Sequence, residues 1–321
     1  MTMNTTRLLT NLSKVICYFL LLMISSNAIS QHQQPALSPV AGRWDITIDN
    51  NGKPQPSWLG VWLSGNNTLV GEFVASGGSA RPISKVFTSS DSFYFSIPPQ
   101  WDRDTADMMI KGVVKGNEAS GIVINSNGKQ NNWTAMRAPA LERAKAPVWG
   151  KPITLFNGKD ITGWHATGDN QWIAENGVLK SPHSGSNLVS DKTFTDFKLH
   201  VEFRYPEGSN SGVYLRGRYE IQIEDGDTVH PTLDRLGAVY GFIAPSTNAA
   251  KKAGEWQSYD ITLTGRLVTI ALNGVTTISN REIPGITGGA LDSKEGEPGP
   301  LQFQGDHGPI EFRNIVITPA Q

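Results

Sequence analysis

Asn210 to Asp225, NSGVYLRGRYEIQIED, reads as two neighbouring strands. Val213 and Leu215 alternate with Tyr214 and Arg216. After Gly217, Tyr219, Ile221 and Ile223 alternate with Glu220, Gln222 and Glu224. Side chains on a strand leave on opposite faces with a period of two. One face is therefore apolar and packs on a core. The other is expected to present Tyr214, Arg216, Glu220, Gln222 and Glu224 together. An ordinary solvated face favours Lys, Thr and Ser. This one carries planar hydrogen-bonding groups, two carboxylates and a guanidinium, a set that suits the fixed hydroxyls of a sugar ring. A solvated sheet face with incidental ion pairs has the same pattern.

The chain around this stretch is long enough for two domains. Its 33 Gly, 19 Pro and 9 Trp favour short strands and tight turns over helices. Residues 1–30 read as an export signal: Arg7 and Lys14, an apolar run from Val15 to Ile24, then Ala28-Ile29-Ser30 for cleavage. The run is too short for a stable membrane span, although an N-terminal anchor has the same signature. Cleavage near Ser30 removes Cys17, the single cysteine, and leaves 26 Lys+Arg against 29 Asp+Glu, a net charge of −3. No basic block remains for nucleic acid, and a neutral solute such as carbohydrate fits better. The mature chain is expected in the periplasm or outside the cell.

Residues 31–40 are a polar tail. Residues 41–138 are expected to form a small antiparallel β domain of eight strands. Asn51-Gly52, Gly65-Asn66, Gly116-Asn117 and Asn127-Gly128 mark its turns, and the meander could close on itself. Gly42-Arg43-Trp44 before such a meander resembles the opening of a lipocalin-type barrel. Trp101, Asp102, Arg103, Asp104 and Asp107 share one long loop that either caps the barrel or lines a sugar site. The domain is read as an accessory module. Residues 139–152 are a linker, where Ala, Pro and charge replace the strand pattern. Residues 153–319 carry about a dozen strand patterns and one short helix candidate, 248–253, which predicts a two-sheet sandwich.

FNGKDITGW at 156–164, FKLHVEFR at 197–204, NSGVYLRGRYEIQIED at 210–225, GAVYGFIAP at 237–245, GEWQSYDI at 254–261, LNG at 272–274 and GPLQFQGDHGPIEFRNI at 299–315 occur in that order. Together they resemble the 3-keto-disaccharide hydrolase family, also described as 3-keto-glycoside 1,2-lyase and 3-keto-2-hydroxy-glucal hydratase domains. The resemblance covers 153–319 and not 41–138. It implies an all-β, concanavalin A-like jelly-roll with a concave, sugar-facing sheet, and glycan breakdown outside the cytoplasm.

A sugar oxidised to a ketone at C3 has an acidic C2 proton. Its removal expels the C1 substituent by β-elimination, and water then adds to the 2-hydroxy-glucal. Such chemistry needs a base near C2, a donor near the C3 oxygen and an acid near the leaving oxygen. Glu220, Glu202 and His307 are the proton-transfer candidates. Arg204 and Arg216 are candidates to stabilise the enolate. Asn210, Tyr214, Gln222, Glu224, Gln302 and Gln304 are candidates to bind substrate. Glu202 and Arg204 could equally pair across their sheet, and His307 could cap the turn Gly305-Asp306-His307-Gly308. His165, His183, His200 and His230 read as surface or packing residues. Asp225, Asp227 and Asp306 could bind calcium but lack the spacing of a dedicated loop.

Two other functions share these features. A laminarinase-like retaining glucanase places Glu-x-Asp-x-Glu on a concave strand. Glu220-x-Gln222-x-Glu224 has that spacing, but Gln222 cannot supply the middle carboxylate. A non-catalytic carbohydrate-binding module is the third reading.

Overall fold

The computed structural model describes residues 38–100, 106–226 and 230–321. Residues 1–37, which hold the expected signal and most of the expected tail, Trp101 to Asp104 and Asp227 lie outside the described residues.

The first eight strands form a closed antiparallel barrel: β1 (Gly42–Asn50), β2 (Lys53–Ser64), β3 (Thr68–Val74), β4 (Arg81–Ser89), β5 (Ser92–Ile97), β6 (Met108–Lys115), β7 (Glu118–Ile124) and β8 (Gln130–Arg137). Each strand pairs with the next, and β1 also pairs with β8, with Ile46 opposite Ala135, so no edge is left open. Alternation puts Trp44, Ile46, Phe73, Phe95 and Trp133 inside.

The second half is a sandwich of β9 (Ile153–Thr154), β10 (Trp164–Ala166), β11 (Ile173–Glu175), β12 (Val178–Ser181), β13 (Leu188–Phe194), β14 (Phe197–Arg204), β15 (Asn210–Leu215), β16 (Tyr219–Glu224), β17 (Gln257–Thr264), β18 (Leu267–Leu272), β19 (Val275–Glu282), β20 (Gly299–Phe303) and β21 (Ile310–Pro319). One sheet runs β10-β13-β20-β15-β16. The other runs β11-β12-β21-β14-β17-β18-β19, with β9 added to β21. Leu199, Val201 and Phe203 of β14 face Val213, Leu215, Tyr219, Ile221 and Ile223 in one core. Phe303 and Phe312 stack across it, with ring centroids 4.1 Å apart. The all-β expectation holds. The helix expected at 248–253 does not form: the segment is irregular and is tied by Asn248 Oδ1 to the Ala250 N–H and by Gln257 Oε1 to the Lys251 N–H.

Residues 38–321 form one compact unit. Trp58 and Val74 of the barrel belong to the sandwich core, not to the barrel interior. Segment 139–152 is tied down as well. Arg143 donates two hydrogen bonds to Asp196, and Gly150 N–H bonds the Pro319 carbonyl.

Candidate functional site

The strand pair β15–β16 puts Tyr214 directly opposite Glu220. On the other side of β15, Tyr214 is opposite Gln302 of β20. Gln302, Tyr214 and Glu220 therefore form a row across three strands, on the face away from the core. Gly212 stands opposite Gln222 in the next row, and its carbonyl accepts from the Gln304 N–H at 2.9 Å. Asn210, opposite Glu224, closes the pattern at the open end.

This face is not an ordinary wet surface. Tyr214, Glu220, Gln222, Gln302 and Gln304 are all buried. Both side-chain polar atoms of Gln302, Oε1 of Gln222 and Oε1 of Gln304 are buried with no hydrogen-bond partner among the described residues. Buried polar groups are rarely left so, and four such atoms lie together on this face. Gln222 Nε2 donates to the Asp234 carbonyl at 3.3 Å, which fixes the direction of its amide.

Glu220 is held at main chain and side chain. Its N–H donates to Thr287 Oγ1 at 3.0 Å, and its carbonyl accepts from the Tyr240 N–H at 3.0 Å. Gly212 makes room for its carboxyl: a methyl group on that α-carbon would lie 2.4 Å from Glu220 Oε1. Burial pushes the carboxyl up to about 8, against the opposing effects of the Tyr214 hydroxyl and nearby His307. His307 sits in the turn between β20 and β21, its Nδ1 2.6 Å from Asp306 Oδ1. That contact raises the imidazole above its usual value, partly offset by burial and aided by the charges of Asp306 and Glu220. Tyr240 is raised to about 12 by burial and by the charge of Glu220. Glu224, half-buried beside Arg235 at 3.1 Å, is raised by burial and moderated by that guanidinium.

Three of the expected site residues are elsewhere. Glu202 and Arg204 share one face of β14, but β14 belongs to the other sheet, so that face is the opposite outer surface of the sandwich. There Glu202 accepts from Arg313 Nε and Asn314 Nδ2, both at 2.6 Å. Burial disfavours its charge, but those two hydrogen bonds prevail and hold it below its usual value. Arg204 bonds Glu311 and lies over the Trp256 ring. Arg216 is also misplaced by simple alternation. β15 ends at Leu215, and Arg216 and Gly217 form the turn with φ of 55° and 66°. The guanidinium swings inward, donating to Tyr219 Oη at 2.8 Å and the Gly265 carbonyl at 3.0 Å. It joins a buried cluster in which Tyr219 donates to Glu295 at 2.6 Å and Arg266 bonds the same carboxyl.

Asp225 accepts from the Gly208 N–H, and Asp306 is engaged with His307. Among the described residues no group of three or more His, Cys, Asp and Glu is arranged to hold a metal. His165 and His200 pair with Asp191 and Asp260 at the surface. Sequence reasoning missed Gly212, Tyr240, Thr287 and the Asp306 partner of His307. Tyr240 lies inside GAVYGFIAP and Asp306 inside GPLQFQGDHGPIEFRNI, so both motifs were visible without their roles.

Clefts of about 570 and 420 Å³ lie away from this face, lined respectively by residues 140–147 with Arg43 and Arg266, and by barrel strands with Ser293 and Lys294. Neither contains Glu220. The grouping of unpartnered glutamine amide atoms around Glu220, rather than cleft size, marks the candidate site.

A curated relative from Bacteroides thetaiotaomicron, a 3-keto-disaccharide hydrolase, is 25% identical over 142 residues, 35% of this chain and 49% of the relative. The chain thus matches about half the length of that relative. Two crystal structures of candidate glycosyl hydrolases from Parabacteroides distasonis are similar as well. One is 22% identical with a TM-score of 0.43, covering 53% of this chain and 94% of the other. The second is 25% identical with a TM-score of 0.42, covering 52% and 98%. Residues 151–318, more than half of the chain, match the 3-keto-alpha-glucoside-1,2-lyase-like domain, and the chain belongs to that family.

Proposed function

We propose that this protein cleaves 3-keto-glycosides or 3-keto-disaccharides by C2 proton abstraction, β-elimination and hydration. The observation that carries the reading is the buried Gln302–Tyr214–Glu220 row with the Asp306–His307 pair beside it. The family membership supports the substrate class.

In the proposed reaction the C2–H bond breaks and its proton passes to the base. The electron pair forms the C1=C2 bond, and the C1–O bond breaks towards the departing alcohol, which takes a proton from the acid. Water then adds across the double bond, its hydroxyl to C1 and a proton to C2, giving the free 3-keto sugar. His307 is suited to the base role. Its Nδ1–H donates to Asp306, which leaves Nε2 as the acceptor. Glu220 is suited to the acid role, since burial keeps it protonated up to about pH 8. The Tyr214 hydroxyl donates to the Gly288 carbonyl at 3.1 Å, so its oxygen is free to accept from a protonated Glu220. Once Glu220 has given up its proton, the tyrosine hydroxyl can turn to the carboxylate. With Arg204 and Arg216 elsewhere, the amide of Gln302 is the donor available for the C3 oxygen.

Export with removal of residues 1–30 is part of the proposal. Mass spectrometry of secreted or periplasmic material should give an N-terminus near Gln31; an intact Met1 on exported protein would refute it. The substrate test is incubation with a 3-keto-glycoside beside its unoxidised parent. Cleavage of the keto form alone supports the reading. Cleavage of the parent selects a glucanase, and binding without turnover selects a carbohydrate-binding module.

A further inference from the structure

The family match begins at residue 151 and leaves the barrel outside it. Yet the barrel reaches the segments that grip Glu220 by two routes. On the first, Trp58 is 1% exposed and sits in the sandwich core, edge-on to Phe242 with ring centroids 5.4 Å apart. Phe242 N–H bonds the Val239 carbonyl, and Val239 bridges Ile221 of β16. Between them Tyr240 holds the Glu220 carbonyl. On the second route, the β3–β4 loop packs against segment 287–289. Ser76 O accepts from the Gly289 N–H at 3.1 Å, and a methyl group on Gly288 would lie 2.2 Å from Gly78 O. That segment supplies Thr287 to the Glu220 N–H and the Gly288 carbonyl to the Tyr214 hydroxyl.

We infer that the barrel is a working part of the site, and that Trp58 and the Ser76–Gly78 loop are positioning residues that hold Glu220 and Tyr214 in register. The inference rests on the role given to Glu220 above. It differs from simple stabilisation because both routes end on the main chain or the direct partner of one carboxyl. Packed interiors transmit displacement instead of absorbing it, and a shift of about 1 Å at a reacting group can cost up to roughly 100-fold in rate. A loosened site would also admit water to Glu220. Among the described residues, the ionisable groups facing that carboxyl are Tyr214 of β15, Tyr240 of the 237–243 segment, and Asp306 and His307 of the β20–β21 turn. None of these belongs to the barrel, so substituting Trp58 changes none of them.

The test compares full-length Trp58→Ala, Trp58→Phe and Gly288→Ala with the wild type. Folding is checked by circular dichroism and cooperative unfolding. kcat and KM are measured on a 3-keto-glycoside across pH, and the Glu220 carboxyl is titrated by ¹³C NMR, its resonance identified with Glu220→Gln. The expected result for Trp58→Ala and Gly288→Ala is a kcat roughly 10- to 100-fold lower, with KM little changed and the Glu220 titration moved towards lower pH. Trp58→Phe keeps the ring and should remain close to wild type. If Trp58→Ala does not fold, full-length Trp58→Leu, which removes the ring packed on Phe242 but keeps apolar volume, decides, because Gly288 itself touches Tyr214. Folded variants with unchanged kcat and an unchanged Glu220 titration overturn the inference. If the wild type turns over no keto-glycoside, the functional reading fails, and the carboxyl titration alone still decides whether the barrel positions Glu220.

Discussion

Glu220 lies over the α-carbon of Gly212, so closely that a side chain on Gly212 would occupy the space of the carboxyl. Gly weakens a strand interior and marks a close approach when it appears there. Here the approach is made by the group proposed to donate the proton. Gly212→Ala should therefore fold, because the far end of a glutamate can turn away. It should lower kcat by roughly 10- to 100-fold through a displaced acid. Steady-state kinetics with a thermal melt check this; wild-type kcat would show that the carboxyl does not work from this position.

The pH dependence of turnover follows from the two proton-transfer groups. His307 must be neutral to act as base, and its pKa is raised above the usual 6.5. Glu220 must be protonated to act as acid, which holds up to about 8. A bell-shaped kcat/KM profile is expected, with its maximum between those limits. Asp306→Asn removes the contact that raises His307 and should move the acidic limb to lower pH. An acidic limb unmoved in that variant would remove His307 from the mechanism.

Stability should fall as pH rises. Burial raises Glu220 from 4.5, and Asp45 from 3.8, to about 8 in each case; for Asp45 the neighbouring Glu295 adds to the shift and Arg266 opposes it. The folded state therefore binds more protons than the unfolded chain between about pH 4 and 8. Each group's contribution is intact below its unfolded pKa and is lost as pH passes through 8, with a steepest slope of about 1.4 kcal/mol per pH unit. Urea denaturation at a series of pH values should show this decline. Glu220→Gln and Asp45→Asn should each flatten it.

The residues displaced from the site make the opposite prediction. Glu202→Gln, on the far face of the sandwich, should leave kcat within a few-fold of wild type. Arg216→Ala should lower stability by about 2–4 kcal/mol by emptying a buried polar cluster, while turnover persists well below the melting temperature. A large loss of kcat in stable Glu202→Gln protein would return that carboxylate to the reaction.

Much of the fold was legible because its signals are local. The Asn-Gly turns and the alternation in β1, β14 and β16 lie within a few residues of one another. Alternation along β16 also placed Glu220, Gln222 and Glu224 on one face, as found. What escaped was set by distant partners. The two outer faces of a sandwich alternate identically, so β14 alone could not show that Glu202 and Arg204 oppose Glu220. Alternation was carried one residue beyond β15, into the turn where Arg216 takes φ of 55° and points inward. Trp58 falls within the 41–138 stretch expected to form a separate β domain, and only the sandwich it enters shows where it packs. The 248–253 helix failed because side chains of Asn248 and Gln257 bind backbone N–H groups there in a competing arrangement.

Glu220 is proposed to give a proton to the leaving oxygen, and cleavage of a 3-keto-glycoside measured beside exchange of its C2 proton with deuterated solvent separates that role from the base. Glu220→Gln is nearly isosteric and should fold like wild type. Removing a general acid typically costs about 100- to 10,000-fold. Glu220→Gln should lose cleavage by that order while exchange at C2 is retained, and His307→Gln should lose both. Folded Glu220→Gln protein with wild-type cleavage would remove Glu220 from the proton transfer.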